Sequence, residues 1–137
     1  MGRTKELIEA WWEAFTAGRL ADCAAVTADD VDFRGPGVQI RGRAEVIPYL
    51  QIFRDAFPDI HRVETTVIEQ GDTAIVELLL EGTHTGPMRS PEGTIPPTGK
   101  KVVWKAADFV RVANGKIIAW HPYWDRVAFA AQLGLTR

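Results

Sequence analysis

The sequence has little cysteine and no long apolar run. Cys23 is the one cysteine among 137 residues, so no disulfide can form within the chain, and a reducing compartment is favoured. Its alanine neighbours predict an inert buried thiol rather than a nucleophile. No apolar run reaches the length of a membrane span, and the N-terminus lacks the charged-then-apolar pattern of a secretion signal. We therefore expect a cytoplasmic protein without a membrane partner.

The chain also lacks an excess of charge and the motifs of several enzyme classes. Its 16 Lys and Arg side chains nearly balance 18 Asp and Glu, for a net charge of −2, so no nucleic-acid partner is expected. No set of His, Cys and carboxylate residues has the spacing of metal ligands, which predicts that no metal is bound. Neither a Gly-rich phosphate loop nor a nucleophile elbow occurs.

Aromatic and apolar residues are what the chain has in quantity. Hydrophobic residues make up 46% of its 137 residues, enough for the core of a single domain over residues 1–137. Five tryptophans are many for this length. Aromatic side chains are typical of pockets for apolar ligands, so a hydrophobic pocket is one use for them.

The periodicity of apolar residues predicts helices first and strands afterwards. Spacings of three and four residues predict helices over 4–17, 20–26, 44–56 and 127–133, with Thr4 and Asp125 as caps of the first and last. Thr27 to Asp30 reads as the polar end of the second helix. Strands are predicted over 31–34, 38–40, 61–69, 73–85 and on both sides of Asn114-Gly115, whereas 86–98 is predicted to be a loop. This order predicts an α+β fold in which a curved sheet closed by helices encloses an apolar interior.

Asp108 is the unusual residue of the predicted last hairpin, because it is an acid among apolar strand residues. By strand alternation it shares a face with Trp104. If that face lines a pocket, burial raises the pKa of the carboxyl and suits it to acid–base work near neutral pH. The alternative is a carboxylate on the solvent side of the strand, paired with Lys105 or Arg111.

His84 is the second candidate for chemistry. It continues the alternation of Leu78 and Leu80. A neutral imidazole at the mouth of a pocket could take a proton from a carbon acid or polarise a carbonyl group. The alternative is a histidine that is satisfied by backbone groups at the end of a strand.

Five short stretches resemble the SnoaL-like members of the NTF2-like superfamily, which also contains ketosteroid isomerase-like proteins. The stretches are Phe57-Pro58-Asp59-Ile60, Gly82-Thr83-His84-Thr85-Gly86, Ile95-Pro96-Pro97-Thr98-Gly99-Lys100, Asn114-Gly115-Lys116-Ile117 and Gln132-Leu133-Gly134. This resemblance implies a cone with three N-terminal helices and a short C-terminal one around a curved mixed or antiparallel sheet and one apolar pocket. It also implies polyketide cyclase or isomerase chemistry without a cofactor. Because the superfamily includes non-enzymes, the fold alone does not settle the activity.

Only some of the site residues expected from the resemblance are present in this sequence. Asp108 matches the position of the acid that stabilises the oxyanion in the isomerases. Pro122 stands where the cyclases carry an acid/base aspartate, and Gly35 lies near the position of the isomerases' general base. Trp11 lies near the position of their helical tyrosine.

These observations predict an enzyme, a lyase or isomerase, that transfers a proton next to a carbonyl group of an apolar substrate, for which a polycyclic compound is a candidate. Asp108 and His84 would share the acid, base and oxyanion-stabilising roles. The predicted substrate-binding residues are Trp11, Phe15, Phe33, Phe53, Leu78, Leu80, Trp104, Trp120, Pro122 and Trp124. The alternatives are a non-catalytic protein that binds an apolar small molecule and an interaction module. A homodimer formed through the sheet is also expected.

Overall fold

The structure, a computed structural model, describes residues 3–135 and confirms the α+β class. The helices are α1 (Arg3–Thr16), α2 (Leu20–Ala25), α3 (Arg43–Ala56) and α4 (Arg126–Gln132). The strands are β1 (Thr27–Gly35), β2 (Val38–Arg41), β3 (His61–Gln70), β4 (Thr73–Thr83), β5 (Met88–Ser90), β6 (Gly93–Ile95), β7 (Lys101–Ala113) and β8 (Lys116–Tyr123).

Six strands form one mixed sheet in the order β2-β1-β8-β7-β4-β3. Strands β3, β4, β7 and β8 form the predicted antiparallel set, and β1 pairs with β8 in parallel. Asn114 and Gly115 have φ values of 53° and 74°, the positive pair that a tight two-residue hairpin turn requires. This turn sets the pairing next to it, and a register shift between Arg111 and Val112 then brings Asp108 opposite Pro122.

Three local predictions were wrong. The stretch from Thr27 to Asp30 opens β1 instead of closing a helix, because it pairs with β8. Thr4 lies within α1, and its hydroxyl donates to the carbonyl of Gly71 at 2.9 Å instead of capping the helix. The predicted loop over 86–98 contains the β5–β6 hairpin. In each case a partner distant in sequence decides the local structure.

Helices α1 and α3 cover the inner face of the sheet. The buried residues of α1 include Ile8, Trp11, Trp12 and Phe15, at the spacings that predicted this helix. On β7 the residues at even positions from Val102 to Val112 face the same side, and all except the half-buried Ala106 are buried. The core between these layers is the place where an apolar cavity can form.

The C-terminal helix is fixed at both ends by side chains. The Asp125 carboxylate accepts a hydrogen bond from the Ala128 backbone N–H at 3.0 Å, as predicted for its cap. At the other end, the Gln132 amide accepts from the Val103 N–H at 2.8 Å and donates to the Val103 carbonyl at 2.9 Å. Since β8 ends opposite Ala107, Gln132 replaces the missing strand neighbour of β7.

Candidate functional site

An apolar cavity lies between the inner face of the sheet and helices α1 and α3. Its volume is about 90 Å³, which corresponds to roughly three water molecules at about 30 Å³ each. Nine of its sixteen lining residues are aromatic, and they include all five tryptophans of the chain. The lining residues are Trp11, Trp12, Phe15, Phe33, Tyr49, Leu50, Phe53, Ile60, Leu78, Leu80, Trp104, Ala106, Asp108, Trp120, Pro122 and Trp124.

Asp108 is the acid in this cavity wall. It lies on β7 opposite Val76 of β4 and Pro122 of β8, and only 2% of it is exposed. Burial raises the pKa of its carboxyl from 3.8 to about 8, while the indole N–H of Trp120 acts in the opposite direction. Its Oδ2 atom has no hydrogen-bond partner within residues 3–135. The carboxyl is therefore mostly neutral at pH 7 and available to a ligand.

The placement of Asp108 decides between the two orientations that the sequence left open. Lys105 and Arg111, the basic neighbours considered as partners, are exposed at odd positions of β7. Asp108 and Trp104 occupy the buried, even positions. Because successive side chains on a strand point to opposite faces, the carboxyl lies across the sheet from both cations.

The aromatic residues of the wall form two sets. In the inner set, Trp11 lies 4.5 Å from Trp120 and 5.3 Å from Phe15 between ring centroids. The outer row consists of Phe33, Tyr49, Phe53 and Trp124, of which the last three are half-buried. Its consecutive centroids are 5.4, 5.3 and 6.2 Å apart, and its rings meet at 60° to 89°. The outer row therefore forms the part of the wall closest to solvent.

The structure places all ten predicted substrate-binding residues around this one cavity. That they bind a substrate remains a prediction. Sequence reasoning missed Trp12, Tyr49, Leu50, Ile60 and Ala106. The helical spacing of four residues between Tyr49 and Phe53 is a signal that would have found Tyr49.

Gly35 and Pro122, the two positions where the resemblance leads one to expect acids, lie side by side. A Cβ atom at Gly35 would lie 3.6 Å from Cγ of Pro122 and 3.4 Å from the ring of Phe33. Pro122 pairs directly with Asp108. The three positions thus meet at one edge of the cavity, and Asp108 supplies its carboxyl.

His84 is buried outside the cavity wall. Its ring stacks on Phe57 at 5.3 Å, and Phe57 in turn packs edge-on against Trp104 at 4.9 Å. Asp108 pairs with Val76, eight residues before His84 on the same run of chain, and His84 is not among the residues that line the cavity. The structure therefore does not bring His84 and Asp108 together, contrary to the expectation of a shared reaction.

His84 is hydrogen-bonded through its backbone and its Nδ1 atom, whereas its buried Nε2 atom has no partner within residues 3–135. Its Nδ1 atom accepts a hydrogen bond from the Thr98 backbone N–H at 3.2 Å and lies 3.0 Å from the Thr98 hydroxyl. Its backbone N–H donates to Lys100 and its carbonyl accepts from Gly99. Burial lowers the pKa of the ring, and the backbone of Gly86 acts in the opposite direction. A neutral His84 thus joins the two ends of the 84–100 segment.

Other reactive side chains also lie away from the cavity wall. Cys23 is fully buried, and burial, with the nearby Asp22, raises the pKa of its thiol to about 12. The Nε2 atom of His121 lies 3.4 Å from Oδ2 of Asp32 on the outer face of the sheet. His121 stacks there on Phe109 at 5.4 Å. These contacts give Cys23 and His121 structural roles, and neither residue lies in the cavity wall with Asp108.

Within residues 3–135, no group of three or more His, Cys, Asp and Glu side chains is arranged to hold a metal ion. Across the same residues, no helix combines the length and hydropathy needed to span a membrane. Among the lining residues, the side chains with polar hydrogen-bonding groups are Asp108, Tyr49 and the tryptophans with their indole N–H groups.

Comparison with known proteins finds a family whose model matches this chain and solved structures that share its fold. A model described as SnoaL-like polyketide cyclase matches residues 5–133. No curated protein matches the chain.

Several solved structures share the fold. A protein from Xanthomonas campestris pv. campestris, described as a candidate polyketide cyclase, is 25% identical, with a TM-score of 0.84 and 96% of each chain covered. IdmH from Streptomyces antibioticus, also described as a candidate cyclase, is 25% identical, with a TM-score of 0.78, and the match covers 96% of this chain and 98% of IdmH. AclR from Streptomyces galilaeus, a candidate hydroxylase, is 18% identical, with a TM-score of 0.84 and coverage of 100% and 88%, and shows similarity of fold alone.

Proposed function

Since the chain belongs to the SnoaL-like polyketide cyclase family, we propose that it is a small enzyme that transfers a proton next to a carbonyl group of an apolar substrate. Asp108 is the acid–base group of this proposal. The observation that carries it is a carboxyl group, 2% exposed, in the wall of an aromatic cavity, with a pKa of about 8. A group with such a pKa exchanges its proton near neutral pH, where acid–base catalysis is most effective.

The surroundings of Asp108 support this chemistry in two ways. A neutral carboxyl in an apolar wall can donate a hydrogen bond to a carbonyl oxygen and stabilise the enolate that forms when a water molecule takes the α-proton. The ionised fraction can itself take the α-proton. Intramolecular aldol cyclisation and double-bond isomerisation both begin with this enolate, so the proposal covers both. No cofactor is required for either reaction.

The volume of the cavity bears on the substrate. At about 90 Å³ it is smaller than the pockets of about 300–1,000 Å³ that enclose drug-sized ligands. The reacting carbonyl end would therefore enter beside Asp108. The remainder of a larger substrate, such as a polycyclic one, would pass the outer row, whose half-buried rings would have to move apart.

We assign His84 no part in this proton transfer, because His84 is not among the residues that line the cavity. Its bonds to Thr98, Gly99 and Lys100 support a structural role at the base of the 84–100 segment instead.

Replacing Asp108 by Asn tests the proposal. Exchange of the α-protons of small cyclic ketones for deuterium, followed by NMR, detects enolate formation without knowledge of the natural substrate. We expect Asp108→Asn to lower the exchange rate by at least about 100-fold, the scale of one acid–base group. Asp32→Asn, on the outer face, is the matched control and should leave the rate unchanged.

The pH dependence separates the two roles of Asp108. If the carboxylate is the base, the exchange rate rises toward pH 8 and then levels; if the neutral acid is the donor, the rate falls above pH 8. A wild-type rate with no inflection near pH 8, or full exchange by Asp108→Asn, would remove Asp108 from the mechanism.

A second candidate is a protein that binds an apolar small molecule without converting it. Gly35 and Pro122 favour it, because they stand beside Asp108 where acids are expected from the family resemblance. Tight binding of an apolar probe, together with no enolate exchange by the wild type across the ketone panel, would favour this candidate over the enzyme.

A further inference from the structure

Asp108 has no positively charged neighbour in the cavity. No Lys, Arg or His occurs among the described residues that line it. The carboxyl is 2% exposed, and its Oδ2 atom has no hydrogen-bond partner in the described part of the chain. An ionised carboxylate at this place therefore lacks a counter-charge, and a positively charged ligand would supply one.

The cavity wall offers the surfaces that organic cations prefer. Nine aromatic rings line it, and Trp120 lies beside Asp108 and packs on Trp11. In the outer row, successive rings meet at 60° to 89°, so that their faces point in different directions around the opening. A cation within about 6 Å of such ring faces is attracted by their π electrons, most strongly when it has lost its water.

We propose that this cavity is a binding site for small tertiary or quaternary ammonium groups, with the aromatic rings as the cage and the Asp108 carboxylate as the counter-charge. This inference goes beyond the proposed enzyme and does not depend on it. The same cavity would select an ammonium ligand whether or not it processes a ketone.

The small number of hydrogen-bond acceptors in the cavity determines how many carbon substituents the ammonium nitrogen of the ligand should carry. Asp108 and the Tyr49 hydroxyl are the side-chain acceptors among the described lining residues, whereas the indoles only donate. A primary ammonium brings three donors and would leave one or more without a partner, which is costly in an apolar site. A tertiary ammonium brings one donor and a quaternary ammonium none, so both match the wall.

The volume of the cavity agrees with a compact head group. About 90 Å³ corresponds to roughly three water molecules, so the site accommodates a methylated ammonium head while a longer chain extends past the outer row. The half-buried Tyr49, Phe53 and Trp124 would contact that chain.

Because the Asp108 carboxyl is neutral before a ligand binds, binding of a cation should release a proton. A permanent cation binds the ionised form of Asp108, so binding must displace its proton. Besides Asp108, the titratable side chain facing the cavity among the described residues is Tyr49 of α3; the lining residues of α1, β4 and β8 do not titrate. The affinity for a quaternary ammonium should therefore rise about tenfold per pH unit below pH 7 and level off above pH 8.

Calorimetry with two probes of one shape tests the proposal. Choline carries a quaternary nitrogen, and 3,3-dimethylbutan-1-ol is its neutral isostere with carbon in that place. In amine-free phosphate or borate buffer at pH 8.5, we expect choline to bind at least about tenfold more tightly than the isostere. Asp108→Asn should weaken this preference, leaving only the contribution of the aromatic rings, whereas Asp32→Asn on the outer face should keep it in full.

Equal affinity for the two probes, or no binding of choline, would overturn the ammonium site. So would a preference that is undiminished in Asp108→Asn, or a wild-type affinity that does not change between pH 6 and 8.5. The pH series uses the unmodified protein, so it decides the question even if Asp108→Asn misfolds. Ketone exchange is measured separately: a failed choline test with intact, Asp108-dependent exchange would remove this inference alone and leave the proposed enzyme standing.

Discussion

At the scale of single residues, Asp108 couples the stability of the protein to pH. Its pKa is 3.8 in an ordinary setting and about 8 in the folded protein, so between these values the folded state holds a proton that the unfolded state has lost. The free energy of unfolding must therefore fall as pH rises through this range, by about 1.4 kcal/mol per pH unit. The contribution is full below about pH 4 and lost by pH 8.

The other groups with shifted pKa values affect stability in other pH ranges. Between them lies a pH range in which, of these groups, Asp108 alone makes stability depend on pH. Burial lowers the pKa of His84 below 6.5, which makes stability rise with pH in the acidic part of the range. The lowered pKa values of Asp32, Asp55 and Asp59 matter only below about pH 4. The raised pKa values of Cys23 and Tyr49 matter only above pH 9.

We therefore expect the wild type to lose stability between pH 6.5 and 8, and Asp108→Asn to lose much less. Urea unfolding followed by tryptophan fluorescence measures both slopes. The slope is the quantity to compare, because a buried Asn amide has its own cost at every pH. Asp32→Asn should keep the wild-type slope, and an equally steep slope in Asp108→Asn would mean that another group titrates.

Two glycines allow a matched test of local packing. A Cβ atom at Gly86 would lie 1.9 Å from the backbone carbonyl oxygen of Asp55, whereas one at Gly35 meets nothing closer than 3.4 Å. We expect Gly86→Ala to destabilise the protein by about 1–3 kcal/mol, since the clash is with backbone. Gly35→Ala should be neutral or stabilising by up to about 1 kcal/mol. Urea unfolding of both variants checks this, and equal stability would contradict the close approach at Gly86.

At the scale of elements, α4 holds the part of β7 that has no pairing partner on β8. The Gln132 amide bonds both backbone groups of Val103 beyond the point where β8 ends. The last helix is thus held to the strand that carries Asp108 and Trp104. Loss of this contact would loosen the end of the cavity wall that Trp104 forms.

Gln132→Leu keeps a similar volume and removes both bonds. It should cost about 1–3 kcal/mol for each Val103 backbone group left without a partner, with water entry reducing the loss. Thermal unfolding measures the effect, and hydrogen exchange at the Val103 amide should become faster. Gln39→Leu, on the exposed edge strand β2, is the control and should change neither.

At the scale of the whole molecule, the outer face of the sheet carries an apolar row. Ile68, Ile75, Phe109 and His121 lie directly opposite one another across four strands. Ile68 and Ile75 are 68% and 47% exposed. Large exposed apolar residues in one contiguous row are typical of interfaces, so we expect a homodimer through this face.

Light scattering tests the homodimer. The wild type should have twice the mass of one chain, and Ile75→Glu should be a monomer because it places a charge in the centre of the row. Val127→Glu is the control, since Val127 is 72% exposed but lies on α4 and not in the row on the outer face of the sheet. A wild-type monomer would remove the expected interface.

Much of the fold and the site could be predicted because both rest on short-range patterns. Helical spacing located Trp11 and Phe15, strand alternation put Asp108 on the face of Trp104, and Asn114-Gly115 fixed the hairpin. Each of these patterns acts within a few residues, where backbone geometry leaves few choices.

The tertiary structure alone decided what depends on distant partners. The pairing of β1 with β8 turned Thr27 to Asp30 into a strand and brought Gly35 beside Pro122. The position of His84 behind Phe57, outside the cavity wall, likewise follows from how far β4 runs past Val76, which strand parity does not reveal. The sequence by itself determined that Asp108 shares a strand face with Trp104, because alternation is local. Packing decided that it points into an aromatic cavity without a counter-charge, because desolvation depends on every element around the carboxyl.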